Sequence, residues 1–144
     1  MVEQTKPPVW FWVVATVLLL WGIVGVIGFQ VDVAMTAADM AKLDPYDRTL
    51  YAGRPGWATA TYGVAVWTGL LGTIVLMLRK AWARSLYLLS LVGVVVLFGW
   101  TFLATDIIAV KGVLVATGFP IVIALIAAFE VWFASGARAR GWIA

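Results

Sequence analysis

The sequence predicts an all-α membrane protein: a four-helix transmembrane bundle with a short extracytoplasmic helical hairpin between the first and second spans. Three observations predict it. Of 144 residues, 64% are apolar and 12% charged, far from the soluble balance of about 45–50% apolar and about 25% charged; the mean hydropathy is +1.02. The apolar residues gather in four blocks, each long enough for a hydrocarbon core of roughly 30 Å, which takes about 20 helical residues. Each block is continuously apolar. A helix satisfies its own backbone hydrogen bonds there, whereas a barrel strand would alternate.

The first span runs from Val9 to Phe29. Its apolar stretch exceeds the roughly 7–15 residues of a secretory h-region, so it is expected to be retained as a helix. Gly22, Gly25 and Gly28 recur at three-residue intervals and mark a face that another helix can approach closely.

Residues 30–57 form the one connection long enough to fold outside the bilayer. Thr36-Ala37-Ala38-Asp39 reads as a capping box with Asp in place of Glu or Gln, followed by helix formers up to Leu43. Asp44 suits an N-cap, Pro45 the first helical position and Asp47 the first turn. Gly53 is expected to end this second helix in a left-handed conformation, with Pro55 preventing continuation. Met35, Met40, Leu43, Tyr46, Leu50 and Tyr51 give the hairpin an apolar underside, which reads as a cap over the helix ends.

The second span, Ala58 to Leu78, carries Ala65, Gly69 and Thr73 at four-residue spacing, with Gly72 adjacent. Thr59, Thr61, Tyr62, Thr68 and Thr73, with Trp67, Ser90 and Thr101, are the polar or amphipathic side chains available to line an interior pocket. Hydroxyls in membrane helices commonly bond their own i−4 carbonyl or a neighbouring helix, so packing is the favoured role. The third span is Ser85 to Ala104 and the fourth Val113 to Phe133. In the fourth, Gly112, Ala116, Pro120, Ala124 and Ala128 fall at strict four-residue spacing and predict the main packing stripe. Pro120 removes a donor and clashes with the Ala116 carbonyl, which predicts a kink, with Thr117 placed to satisfy the freed carbonyl or its neighbours.

Lys6, Arg79, Lys80, Arg84, Arg138 and Arg140 lie on one side of the four spans and Lys42, Arg48, Arg54 and Lys111 on the other. The excess of basic residues places the termini and the 79–84 link in the cytoplasm. Asp32, Asp39, Asp44, Asp47 and Asp106 all fall on the opposite side. Trp10, Phe11, Trp12, Trp82, Trp132, Phe133 and Trp142 form a cytoplasmic aromatic belt, matched by Tyr51 and Trp57 on the far face.

Chemistry is sparse. With no Cys and no His, disulfides, thiolate nucleophiles, imidazole bases and ordinary zinc or haem ligation are excluded. Neither a phosphate loop nor a nucleophile elbow nor a carboxylate cluster is present, so no catalytic, cofactor-binding or metal-binding residues are expected. The charge of +3 belongs to the span flanks and does not predict nucleic acid binding. Within the spans, Glu130 is the one charged residue and is by default a functional candidate. It lies three residues before the expected end of the fourth span, so an ion pair with Arg79, Lys80 or Arg84 is the favoured reading. Asp106 and Asp32 are candidates to pair with Lys111 or Arg54 at the outer mouth.

Pro7-Pro8-Val9-Trp10-Phe11-Trp12, Leu50-Tyr51, Pro55-Gly56-Trp57, and the run from Ala65 through Gly69-Leu70-Leu71-Gly72 to Arg79-Lys80-Ala81-Trp82-Ala83 resemble a group of small bacterial four-span inner-membrane proteins commonly labelled "sugar transporter". The resemblance covers about two-thirds of the chain and implies the fold, with solute transport attached to the label. Multidrug exporters of the small resistance type are similar in size, but their membrane Glu in the first span has no counterpart here; DoxX-type proteins are similar in architecture. Two functions follow as expectations. The preferred one is a non-enzymatic accessory or scaffold subunit, whose small-residue stripes dock a membrane-protein partner or a second copy within the lipid bilayer. The alternative is a small-solute, sugar-type transporter acting as an oligomer, with Tyr62 and Trp67 as candidate ligand contacts; their convergence with Trp21, Trp100 and Thr68 on a cavity would favour it.

Overall fold

The computed structural model describes residues 4–144. Those residues form seven helices and no strand: α1 (Val9–Val33), α2 (Ala37–Lys42), α3 (Pro45–Gly53), α4 (Gly56–Met77), α5 (Ala83–Ala104), α6 (Ile107–Lys111) and α7 (Val113–Ala139). Helices α1, α4, α5 and α7 are long and apolar enough to cross a membrane, with mean hydropathies of 2.3, 1.6, 2.3 and 2.2 over their span windows. The protein is therefore an all-α integral membrane bundle of four spans. Because the spans alternate in direction, both termini and the α4–α5 link share one end, and the α2–α3 hairpin and α6 share the other.

The spans follow sequence order in space. Helix α4 packs on α1 and α5, and α5 packs on α7, whereas α1 and α7 form no comparable interface. The bundle is an open arc. Helix α4, the least apolar span, is also the most surrounded by protein, and its Gly63, Gly69, Gly72 and Thr73 meet neighbouring spans.

Close approach holds the arc together, because apolar side chains gain nothing by leaving lipid for protein. A Cβ at Gly22 would stand 3.1 Å from the Leu70 Cα, at Gly72 2.9 Å from the Tyr87 ring and at Gly93 3.0 Å from the Ala65 Cβ. The Ser90 hydroxyl donates to the Ala65 carbonyl at 2.7 Å, and the Thr73 and Tyr87 hydroxyls lie 2.6 Å apart. Gly22, Gly69 and Gly72 thus serve seams inside one copy of the chain.

The stripe predicted on the fourth span packs only in part. Ala116 is buried, but Pro120 and Ala124 are half-buried and Gly112 and Ala128 exposed, while Ala127, Glu130, Phe133, Ala134 and Ala137 are buried. A four-residue step advances a helix by about 400°, so four steps drift by roughly 160° and carry the stripe around to the lipid side. The buried residues instead alternate steps of three and four. The helix continues through Pro120, and Thr117 donates to its own i−4 carbonyl, Val113, at 2.6 Å, not to the freed Ala116 carbonyl.

Several bounds also move. Helix α1 continues to Val33, not Phe29, and α7 to Ala139, not Phe133, while α4 and α5 each begin two residues earlier than expected. The end of an apolar block is not the end of a helix: the Ala34 N–H still bonds the Gln30 carbonyl, and no breaker intervenes.

At the terminal end, Phe11 and Phe133 are buried in an aromatic cap, whereas Trp10, Trp12, Trp82 and Trp132 stay exposed as interfacial anchors. Trp142 packs edge-on against Trp10 and Phe11. The backbone is stitched across it: Thr5 N–H to the Gly141 carbonyl, Ala144 N–H to Arg79 and Ala81 N–H to Ala144, at 2.9, 3.1 and 3.0 Å.

At the hairpin end, the Thr36–Asp39 capping box forms, and Asp44 accepts from the Asp47 N–H at 2.8 Å. Arg48 closes α2 by donating to the Met40, Ala41 and Leu43 carbonyls. Gly53 does not adopt a left-handed conformation; α3 runs through it and Arg54 turns out extended, at φ −69°, into Pro55. Two tethers hold the hairpin. Arg54 pairs with Asp32, to whose carbonyl Tyr51 donates at 2.7 Å. Lys111 pairs with Asp47 at 2.9 Å and Asp44 at 3.4 Å, so Asp106 is left to accept from the Tyr46 hydroxyl at 2.7 Å.

Candidate functional site

The open arc leaves a cleft of about 250 Å³ along the α1–α7 seam. Its floor exists because of small residues: Gly22, Gly25 and Gly28 from α1, and Ala65 and Gly69 from α4, leave the volume that larger side chains would fill. Helix α5 adds Ser90, Val94, Leu97 and Phe98, and α7 adds Phe119, Ile123, Ala127 and Glu130. Trp21 and Val24 of α1 and Phe119 of α7 stand along its mouth, where Val24 and Phe119 are largely exposed. The mouth opens sideways, toward lipid. At the terminal end the cap closes beneath it, with Phe11 stacked on Phe133.

Glu130 is the one charged side chain of the lining. Helix α7 continues nine residues beyond it, or ~13.5 Å at the helical rise. The residue is 5% exposed. The expected ion pair with the basic link is not formed among the described residues. Arg84 turns instead to the Ser135 hydroxyl at 2.8 Å. Arg79 points away, donating to the Trp142 and Thr5 carbonyls. Among the described residues every fully buried side-chain polar atom has a partner; Glu130 bonds none of those residues, so its carboxyl oxygens reach the cleft.

Of the two candidate ligand contacts on α4, only Tyr62 lines the cleft, with its hydroxyl close to Gly28. Trp67 is 41% exposed and takes no part in the lining. Of the other candidates, Ser90 and Trp21 also line the cleft, and the rest do not. Thr61 and Thr68 donate to the Trp57 and Val64 carbonyls of their own helix, Thr101 does the same to Leu97, and Trp100 packs edge-on against Trp57. Ala116, Pro120, Ala124 and Ala128 lie outside the lining, and Gly72 is committed to Tyr87.

Whereas Trp21 and Ser90 were among its candidates, sequence reasoning missed the mouth residues Val24 and Phe119 and the apolar α5 wall of Val94, Leu97 and Phe98. Their signal is faint, since an apolar side chain facing a cleft and one facing lipid are the same residue types. The three-residue glycine spacing on α1 was the usable clue: Gly25 and Gly28 meet only side-chain atoms, at 3.5 and 3.4 Å, where Gly22 meets backbone. Comparison of the chain with protein families, with characterised proteins and with solved structures finds no match.

Proposed function

We propose that this integral membrane protein works without catalysis, as an accessory component that holds a membrane-dissolved, mostly apolar small molecule in the α1–α7 cleft. The carrying observation is an apolar cleft open to lipid along one seam and closed at the terminal end by the Phe11–Phe133 cap. Its walls, mostly hydrocarbon, suit a ligand that is itself dissolved in the bilayer. The glycine stripes also favour this reading over a scaffold that docks through them, because Gly22, Gly69 and Gly72 are occupied within the bundle.

Sugar transport has less support. A sugar needs converging hydroxyl partners, and the lining offers Tyr62, Ser90 and Glu130 amid apolar walls. A location in a bacterial inner membrane with cytoplasmic termini belongs to the same proposal, supported by the six basic residues Lys6, Arg79, Lys80, Arg84, Arg138 and Arg140 at the terminal end.

The test is native mass spectrometry of the protein released from nanodiscs, followed by solvent extraction. The expected result is a bound small molecule at about one per chain, displaced when Val24→Trp fills the mouth. Empty protein that carries out solute uptake in liposomes would overturn the proposal in favour of transport; empty protein with a stoichiometric protein partner would return it to scaffolding.

A further inference from the structure

The geometry points to a lipophilic amine, an apolar chain ending in a protonated nitrogen, as the class of molecule the cleft takes, with its nitrogen on the Glu130 carboxylate. This rests on the reading of the cleft as a binding site. Three features converge on it. Glu130 is 5% exposed, lines the cleft and bonds no other described residue. An unpaired carboxylate in such surroundings is costly and is stabilised by any cation brought beside it. No described Lys or Arg supplies that charge, since Arg84 is held by Ser135.

The second feature is the sign of the hydrogen bonding. Ser90, the other polar side chain from this half of the cleft, already spends its proton on the Ala65 carbonyl at 2.7 Å. What it and the carboxylate offer a ligand are acceptors. A protonated amine is complementary to this pair, supplying donors together with the charge that an ionised Glu130 needs. The third feature is the wall. Val94, Leu97, Phe98 and Ile123 present hydrocarbon, and the mouth opens to lipid, so the rest of the ligand is a chain or ring system that partitions into the bilayer before it binds.

The experiment uses the full chain in nanodiscs and two photoreactive probes, a diazirine-bearing alkylamine and the alcohol of the same chain, with cross-links mapped by peptide mass spectrometry. In the wild type the amine should label α1 and α7 peptides of the cleft about tenfold more than the alcohol does. Glu130→Gln, nearly isosteric, should remove that preference, and Val24→Trp, at a residue 62% exposed, should reduce labelling by both probes. Equal labelling by amine and alcohol, or amine labelling unchanged in Glu130→Gln, overturns the amine assignment and leaves the cleft reading standing. Absence of cleft labelling by either probe, or labelling indifferent to Val24→Trp, overturns the cleft reading and the assignment with it.

Discussion

Phe11 and Phe133 stack with ring centroids 5.6 Å apart and planes 21° from parallel, joining the first and last spans at the closed end of the cleft. Both are almost fully buried, at 0% and 3% exposed. Phe→Ala in a well-packed site costs about 3–5 kcal/mol in water-soluble proteins; in lipid the transfer part falls away and the lost packing remains. Either single substitution should lower the melting temperature in detergent. A double-mutant cycle should return a coupling of about 1 kcal/mol, and additive melting shifts would count against the stack as the element that closes this end.

The hairpin should respond to pH at both extremes. The Thr36 N–H, then the Thr36 hydroxyl, hold the Asp39 carboxyl below its ordinary 3.8, and the Asp47 N–H does the same for Asp44. A lowered folded value gives stability that is present above 3.8 and lost as pH falls through the folded value. Lys111 is raised above its ordinary 10.5, chiefly by its hydrogen bond to Asp47, so its strap is present below 10.5 and lost as pH rises through the folded value. Lost hydration and the bond to Asp106 push Tyr46 up to about 12, so it stays a donor across the working range. Amide exchange over residues 37–47, corrected for intrinsic rate, should show protection that is flat near neutrality and falls at both limits. Asp39→Asn should flatten the acid limb.

Two glycines on one helix make a matched pair. At Gly93 a Cβ would meet the Ala65 Cβ at 3.0 Å and backbone at 3.4 Å, whereas at Gly99 it meets nothing within 4 Å. Gly93→Ala should therefore wedge α4 from α5 and destabilise by about 1–3 kcal/mol. Gly99→Ala should be neutral or stabilising, by up to about 1 kcal/mol of helix propensity. Thermal melts of the two variants side by side read the sign directly.

The absence of cysteine makes topology simple to read. Lys80, in the α4–α5 link, and Lys42, ending α2, are both exposed and lie at opposite ends of the bundle. In intact cells a membrane-impermeant maleimide should label Lys42→Cys and not Lys80→Cys, as the distribution of basic residues predicts. The reverse pattern would invert the proposed orientation.

The spans were legible because lipid imposes length and continuous apolarity on any helix that crosses it, and the hairpin because Thr36, Asp44 and Pro45 carry capping chemistry in their own side chains. The sideways position of the cleft was not. Which face of α7 turns inward depends on how its residues mesh with α5, and a stripe of small residues at the wrong pitch outcompeted the true one on the page. That α7 runs on past Phe133 was not legible either, since Ser135, Gly136 and Arg138 interrupt the apolar block. Arg84 was expected at Glu130 from charge alone, before Ser135 was known to be beside it.

Arg79 was legible only as one charge among six, yet it is the single non-glycine residue with positive φ, at 61°, among the described residues. That conformation costs an L-residue roughly 1–2 kcal/mol. The side chain offsets it by donating to the Trp142 carbonyl at 2.8 Å and the Thr5 carbonyl at 2.5 Å, tying both terminal segments to the α4–α5 link. Two substitutions separate the contributions. Arg79→Gly relieves the backbone and loses both bonds; Arg79→Ala keeps the strain and loses them as well. Both should loosen residues 141–144, seen as faster amide exchange there, and Arg79→Ala should melt lower than Arg79→Gly by about the strain energy, roughly 1 kcal/mol. Should the two variants melt together, the left-handed turn is relaxing at no cost and Arg79 acts through its guanidinium alone.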